Sequence, residues 1–179
     1  MTPAPFNTLP DDPIPRAQAL WLRADDGVRL RAGYWPAAPP QGTVLLMQGR
    51  TEYLEKYGPW AEELNRAGFD VLSLDWRGQG LSDRLIDNPF PSHITDFADY
   101  QRDVIELVVA AGDMDLPQPW HLLGHSMGGA IGLAALMADL PVASAAFSAP
   151  MWGLHLSPIL TRTSPLIASL GQKLGKGLR

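Results

Sequence analysis

The sequence predicts an α/β fold built on a mostly parallel sheet, and three features carry that prediction. Apolar runs of strand length alternate with stretches whose apolar residues recur every three or four positions, the pattern of a sheet flanked by helices. Residues 43–47 are one continuous apolar run, as expected of a strand covered on both faces. Gly124-His125-Ser126-Met127-Gly128 stands between an apolar run at 120–123 and a helical run at 130–138, so a G-x-S-x-G pattern falls at a strand-to-helix junction.

The elements follow in order. Residues 1–18 hold five prolines and read as an extended arm. Two strand-like runs, 19–24 and 28–35, flank Asp25-Asp26-Gly27 and predict a hairpin. The run 43–47 ends in Gln48-Gly49-Arg50-Thr51-Glu52. A short helix is expected from Pro59, favoured at the first helical position, to Gly68, with Trp60, Leu64 and Ala67 on its apolar face. The strand 69–74 follows and ends in Asp75-Trp76-Arg77-Gly78-Gln79-Gly80-Leu81-Ser82.

After a loop with Pro89 and Pro91, Thr95-Asp96 signals a helix start. Phe97, Tyr100, Val104, Leu107 and Val108 then recur at helical spacing, and Gly112 is read as the stop. Beyond the serine motif and its helix, 142–148 is expected to be another buried strand. Ser164-Pro165 looks like the cap and first residue of a last helix that carries Leu166, Ile167, Leu170 and Leu174 on one face. The expected organisation is an arm over 1–18, a core over 19–150 and the start of a cap over 151–179.

At 179 residues the chain is one domain by length, and 46% hydrophobic with 18% charged residues describes a globular protein. With no cysteine, disulfides and thiolate metal sites are excluded. A net charge of −5 gives no reason to expect nucleic-acid binding. All 19 acidic residues lie at or before Asp139, and residues 140–179 carry only Arg162, Lys173, Lys176 and Arg179. No signal peptide is visible at the start. Residues 116–138 are uncharged over the length of a membrane span, but Pro117, Pro119 and the glycines split them into a strand and a helix. The expectation is a cytoplasmic protein, with peripheral lipid contact as a reading of the basic end.

Ser126 is the candidate nucleophile. A serine that projects its hydroxyl from a sharp turn has a strained backbone, and neighbours two residues away on either side must lack a Cβ. The helix that starts there aims its N–H groups at charge developing beside the serine.

Three motifs in this order (Gln48-Gly49, the Asp75-to-Ser82 stretch, and Gly124 to Gly129) resemble the α/β-hydrolase fold. More narrowly, the chain is similar over roughly residues 20–153 to the monoacylglycerol lipase and lysophospholipase branch of serine hydrolases. The resemblance implies an acyl-enzyme on Ser126 and an oxyanion hole made by the backbone N–H groups of Arg50 and Met127. No cofactor or metal is implied, and the substrate would be a small acyl ester such as a monoacylglycerol or lysophospholipid. Gln48 stands where many relatives carry His. Glu52, Lys56 and Tyr57 match a pattern these lipases show after the oxyanion loop, and they read equally as a solvated loop face.

Hydrolases of this fold run Ser, then acid, then His, so the Asp75 loop with Arg77 reads as structural, and His93, in a loop before the serine, has the wrong order. His125 beside the nucleophile and His121 within a buried strand read as structural histidines. After Ser126 the only acid is Asp139 and the only histidine His155. Asp139 lies 13 residues along the helix, about 20 Å away at 1.5 Å per residue, and cannot orient a base at Ser126. His155 could approach but would lack an acid. The expectation is therefore a hydrolase whose sheet and triad are incomplete at 179 residues, alone showing little or no turnover. The other function class is a partial hydrolase scaffold that binds a ligand or partner. Met151, Trp152, Leu154, Leu156, Ile159 and Leu160 begin either an acyl-chain-binding cap or an ordinary surface segment.

Overall fold

Asp25, Asp26 and Gly27 turn the chain between two strands in the computed structural model, which describes residues 1–7, 17–88, 90–153 and 157–173. Gly27 sits at φ 87°, its N–H on the Ala24 carbonyl at 2.9 Å. The strands are β2 (Gln18–Arg23) and β3 (Arg29–Trp35), paired antiparallel. They belong to a mixed sheet with β1 (Thr2–Ala4), β4 (Gly42–Met47), β5 (Phe69–Asp75), β6 (Trp120–His125) and β7 (Ser144–Ser148), in the order β1-β2-β3-β5-β4-β6-β7. Pairing is antiparallel from β1 through β3 to β5 and parallel among β5, β4, β6 and β7.

The central strand β4 is buried at every residue. Its period of two divides its side chains between two cores. Leu45 and Met47 join one core with α2 (Tyr100–Asp113) and α3 (Met127–Met137), through Tyr100, Val104, Leu107, Met127 and Ile131. Val44 and Leu46 join the other, with Leu54, Tyr57 and α1 (Gly58–Arg66). Each such large side chain contributes about 1.5–3 kcal/mol on burial. The helices of the two faces pin β4 between β5 and β6, so the loop after β4 emerges beside the loop after β6. The register Met47 to Gly124 puts those two strand ends side by side.

Several local expectations give way to tertiary packing. Within the arm, Thr2–Ala4 pairs with β2 as an edge strand, and residues 8–16 lie outside the described residues. In α1 the buried residues are Gly58 and Ala61, whereas Trp60 is 46% exposed, and Ala67 just past the helix is also exposed. A 3-10 turn, Leu54–Tyr57, precedes the helix and inserts Leu54 and Tyr57 into the core. The inward face therefore runs Tyr57, Ala61, Leu64 at i, i+4, i+7, and Trp60 falls outside it.

Asp96 and Asp99 form a capping box as the sequence suggests, but Gly112 does not end α2. Asp115 takes the left-handed position at φ 51°, and the Leu116 N–H returns to the Ala111 carbonyl at 3.0 Å. The expected buried strand at 142–148 is shorter, and Ser144, Ala145 and Ala146 are exposed. β7 is the edge of the sheet, and among the described residues no strand pairs with its outer side. The last helix, α4 (Pro158–Lys173), starts seven residues earlier than Pro165 and holds that proline inside. Pro158 is the proline at its start, where a missing N–H costs nothing, and the Ser157 carbonyl accepts from the Thr161 N–H at 2.9 Å. Leu174, Lys176 and Arg179 lie outside the described residues.

Candidate active site

Ser126 occupies the single position between β6 and α3, at φ 50° and ψ −117°. A non-glycine residue there stores about 1–3 kcal/mol of strain and persists only when its surroundings hold it. Three hydrogen bonds do so: the Ser126 N–H donates to the Ser148 carbonyl at 3.1 Å. The Ser126 carbonyl accepts from the N–H groups of Gly129 at 3.0 Å and Met151 at 2.8 Å. The flanking glycines let α3 press against the sheet. A Cβ on Gly128 would lie 2.6 Å from the Gln48 carbonyl oxygen and closer still to that of Met47. One on Gly124 would lie 2.9 Å from the Gly129 Cα.

The loop after β4 reaches the same place. A Cβ on Gly49 would stand 3.3 Å from the Ser126 Cβ. The Gly49 N–H is already engaged, donating to Glu52 Oε2 at 2.7 Å and to the Tyr57 hydroxyl at 3.3 Å. Among the described residues the next amide, that of Arg50, has no acceptor, and neither has the Met127 amide at the first position of α3. The two amides that the resemblance nominates, one directly after Gly49 and one directly after Ser126, are thus unpaired among the described residues.

Glu52, Lys56 and Tyr57, open to two readings in the sequence, prop this loop. Glu52 accepts from Gly49, from the Tyr57 hydroxyl and from Lys56 Nζ. Burial alone would raise the Glu52 carboxyl, but the Lys56, Tyr57 and Gly49 hydrogen bonds outweigh it and hold it below the ordinary value. Burial and the Glu52 carboxylate push the Tyr57 phenol up, so it stays a donor.

Beneath the loop lies a buried polar scaffold. Asp75 is fully buried and accepts from Arg31 Nε at 2.8 Å, the Leu81 N–H at 2.8 Å, the Leu54 N–H at 3.0 Å and Gln48 Nε2 at 3.3 Å. With its oxygens so occupied, Asp75 is a structural hub, as its place in the chain suggests. Gln48 also donates to the Leu74 carbonyl at 2.6 Å, so its amide ties β4 to β5; among the described residues Gln48 Oε1 is buried without a donor. Arg31 further binds Glu55 through two bonds of 2.8 and 2.9 Å. Arg77 clamps Asp103 at 2.8 Å and Asp26 at 2.6 Å. Burial pushes the Asp103 carboxyl up to about 6 despite Arg77. Sequence reading missed Arg31 and Glu55, whose only local signal is charge within runs that fold into the core.

Among the described residues no histidine hydrogen-bonds the Ser126 hydroxyl. His125 Nδ1 bonds the Ser148 carbonyl at 3.1 Å, and its ring lies 6.4 Å from that of Trp60. His121 Nδ1 meets Ser144 Oγ at 2.9 Å. His93 packs its backbone against Gly78. Asp139 ends the α3 region at φ 59° and is exposed. His155, Leu154 and Leu156 lie outside the described residues. Trp152 folds back over α3, its Nε1 on the Gly129 carbonyl at 3.2 Å and its ring 5.2 Å from Phe147.

A mixed sheet with a strained serine between β6 and α3, and the loop after β4 brought against it at Gly49, defines an α/β-hydrolase core. Solved structures agree on the fold. An α/β hydrolase from Penicillium superposes with a TM-score of 0.72 at 24% identity, over 88% of this chain and 53% of that one. A Saccharomyces cerevisiae monoglyceride lipase superposes with 0.66 at 23%, over 97% and 56%. The chain belongs to the family of hydrolases described as serine aminopeptidase, S33, whose model matches residues 38–178.

Among curated relatives, an Escherichia coli lysophospholipase is 37% identical over 144 residues, which is 78% of this chain and 41% of that protein. A Mycolicibacterium smegmatis monoacylglycerol lipase is 32% identical over 149 residues, 80% and 51%. The chain thus spans about two-fifths to half the length of these relatives.

Proposed function

We propose that this chain carries the nucleophile and oxyanion-binding part of a serine hydrolase acting on lipid-like acyl esters. The observation that carries the reading is Ser126 at φ 50°, held in a strained elbow beside Gly49. In this reading Ser126 Oγ attacks the acyl carbonyl, and the Arg50 and Met127 N–H groups receive the charge that develops on its oxygen. The alcohol leaves with a proton, an acyl ester remains on Ser126, and water hydrolyses it. The step needs a general base to take the serine proton; His155 is the histidine that chain order offers. Because the Gly49 amide is committed to Glu52, Arg50 is the loop's donor.

The names of the relatives support an acyl ester of glycerol or glycerophosphate over a peptide. So does the exposed apolar surface after the core: Trp152, Ile159, Leu166, Ile167 and Leu170 are each 58–74% exposed. That face, with Lys173 at the end of α4, supports peripheral contact with a lipid surface. No helix among the described residues is long and apolar enough to cross a membrane.

A fluorophosphonate probe tests the nucleophile. A single labelled peptide containing Ser126 is expected, lost in Ser126→Ala; labelling of another serine, or label that persists in Ser126→Ala, overturns the assignment. A second reading, a scaffold that binds without turnover, is favoured by one observation. Among the described residues no imidazole or carboxylate hydrogen-bonds Ser126 Oγ. Ser126-dependent release of acid from short-chain monoacylglycerol separates the two.

A further inference from the structure

Directly after Arg50, Thr51 takes the left-handed conformation at φ 59°. A β-branched residue crowds its own backbone there and stays only when its surroundings hold it. Thr51 is exposed, so packing does not hold it; two hydrogen bonds do. Its hydroxyl donates to the Arg50 carbonyl at 2.6 Å, and its N–H donates to Gln79 Oε1 at 2.5 Å. The second bond crosses 28 residues and joins the loop after β4 to the loop after β5.

Gln79 is itself fixed by its backbone and its side chain. It is buried, its N–H donates to the Trp76 carbonyl at 2.9 Å, and its carbonyl accepts from the Ser82 N–H at 3.1 Å. A backbone N–H can only donate, so the Gln79 side chain must turn its oxygen to Thr51. Its nitrogen then meets the Tyr100 hydroxyl at 3.2 Å. The Tyr100 ring is set edge-on between Trp76 at 5.5 Å and Phe97 at 5.3 Å. Gly80, at φ 50°, lets the loop fold tightly onto Asp75, where a Cβ would lie 2.1 Å from the carboxyl.

We propose that Gln79 is a positioning residue for the reaction at Ser126, holding the 50–51 peptide and through it the direction of the Arg50 N–H. This rests on the ester-hydrolase reading above. The Arg50 N–H belongs to the 49–50 peptide, a planar unit that turns only about the Cα atoms at its two ends. On one side the 48–49 peptide is pinned, its Gly49 N–H on Glu52 and Tyr57. On the other the 50–51 peptide is pinned twice, its carbonyl by the Thr51 hydroxyl and its N–H by Gln79. With both neighbours fixed, the Arg50 N–H has its orientation before any ester arrives, as a preorganised oxyanion donor requires. The Thr51 hydroxyl bond turns with the loop, so Gln79 is what ties the 50–51 peptide to the rest of the protein.

An alkyl fluorophosphonate tests this. Its phosphoryl oxygen takes the oxyanion position as the Ser126 Oγ–P bond forms and fluoride leaves. The limiting rate constant of labelling and the half-saturating probe concentration are measured for wild type, Gln79→Met, Gln79→Glu and Tyr100→Phe, each well below its melting midpoint. Deleting an oxyanion donor costs about 10²–10³ in rate, so releasing one on a single side should cost at least about tenfold. Gln79→Met, similar in length but without the acceptor, should show that loss with half-saturation unchanged. Gln79→Glu keeps an oxygen for the Thr51 N–H and should keep most of the rate. Tyr100→Phe removes only the partner of Gln79 Nε2 and should cost about threefold. Amide hydrogen exchange should find Thr51 protected in wild type and exchanging about tenfold faster in Gln79→Met.

A folded Gln79→Met that labels at the wild-type rate overturns the proposal and leaves the ester reading intact. So does a loss shared equally by Gln79→Glu, a change in half-saturation alone, or a Thr51 amide that exchanges alike in wild type and Gln79→Met. If Gln79→Met does not fold, Tyr100→Phe decides, and a wild-type rate there overturns the proposal. No labelling of Ser126 in wild type overturns both.

Discussion

Replacing Gly128 by alanine tests whether the elbow is set by contact between α3 and β4. The added Cβ would stand 2.6 Å from the Gln48 carbonyl oxygen and nearer the Met47 carbonyl, and both are backbone atoms. Neither can rotate away, because β4 is buried at every residue and hydrogen-bonded on both sides by β5 and β6. Overpacking costs about 1–3 kcal/mol where side chains can adjust, so a backbone clash belongs at the top of that range, about 3 kcal/mol.

At about 2–4 °C per kcal/mol for a chain this long, the melting temperature should fall by about 6–12 °C. Gly112→Ala is the control. Its Cβ would meet no heavy atom within 4 Å on the exposed side of α2, and relief of glycine's entropy should stabilise by about 0.5–1 kcal/mol. Melting by circular dichroism reads both. A Gly128→Ala protein that melts with wild type, or two variants that shift alike, would refute the reasoning.

Three further outcomes follow from the same geometry. Ser126→Gly should be more stable than Ser126→Ala by about 1 kcal/mol, since only glycine relieves φ 50° and ψ −117°; equal urea midpoints would count against stored strain. Glu52 has a depressed carboxyl, so its contribution is present above its ordinary 4.5 and is lost as pH falls through the lower folded value. As pH falls from 4.5 towards that lower value, urea midpoints should therefore drop less steeply in Glu52→Gln than in wild type, and parallel curves would remove Glu52 from the acid limb. Arg31→Met strands Asp75 and Glu55 without their shared cation and should cost about 3–5 kcal/mol; a loss no larger than at an exposed pair such as Arg102–Asp25 would contradict a buried network.

Local pattern alone determined the elements whose chemistry is local. Asp25-Asp26-Gly27 specifies a turn, the continuous run at 43–47 a doubly covered strand, Asp96 and Asp99 a cap, and Gly124-x-Ser126-x-Gly128 a strained serine at a strand-to-helix junction. Each depends on backbone preferences and on side chains a few residues apart, which a linear reading holds in view. Tertiary structure decided whatever depends on which surface an element meets. Trp60 is exposed because Leu54 and Tyr57 take the core first, and β7 is exposed because it lies at the edge of the sheet.

The site divides in the same way. Ser126 can be nominated from its motif, and Arg50 and Met127 from the family resemblance that the motifs carry. That Arg50 and not Gly49 keeps a free amide depends on Glu52 turning back onto Gly49, and that Gln48 braces the loop depends on β5 lying alongside β4. Arg31 meets Asp75 and Glu55 across separations of 44 and 24 residues. No residue in that cluster is unusual in its own sequence neighbourhood. Its charges can stay buried only because the folded sheet brings opposite signs within hydrogen-bond reach and shuts water out, and neither condition exists until the strands have paired.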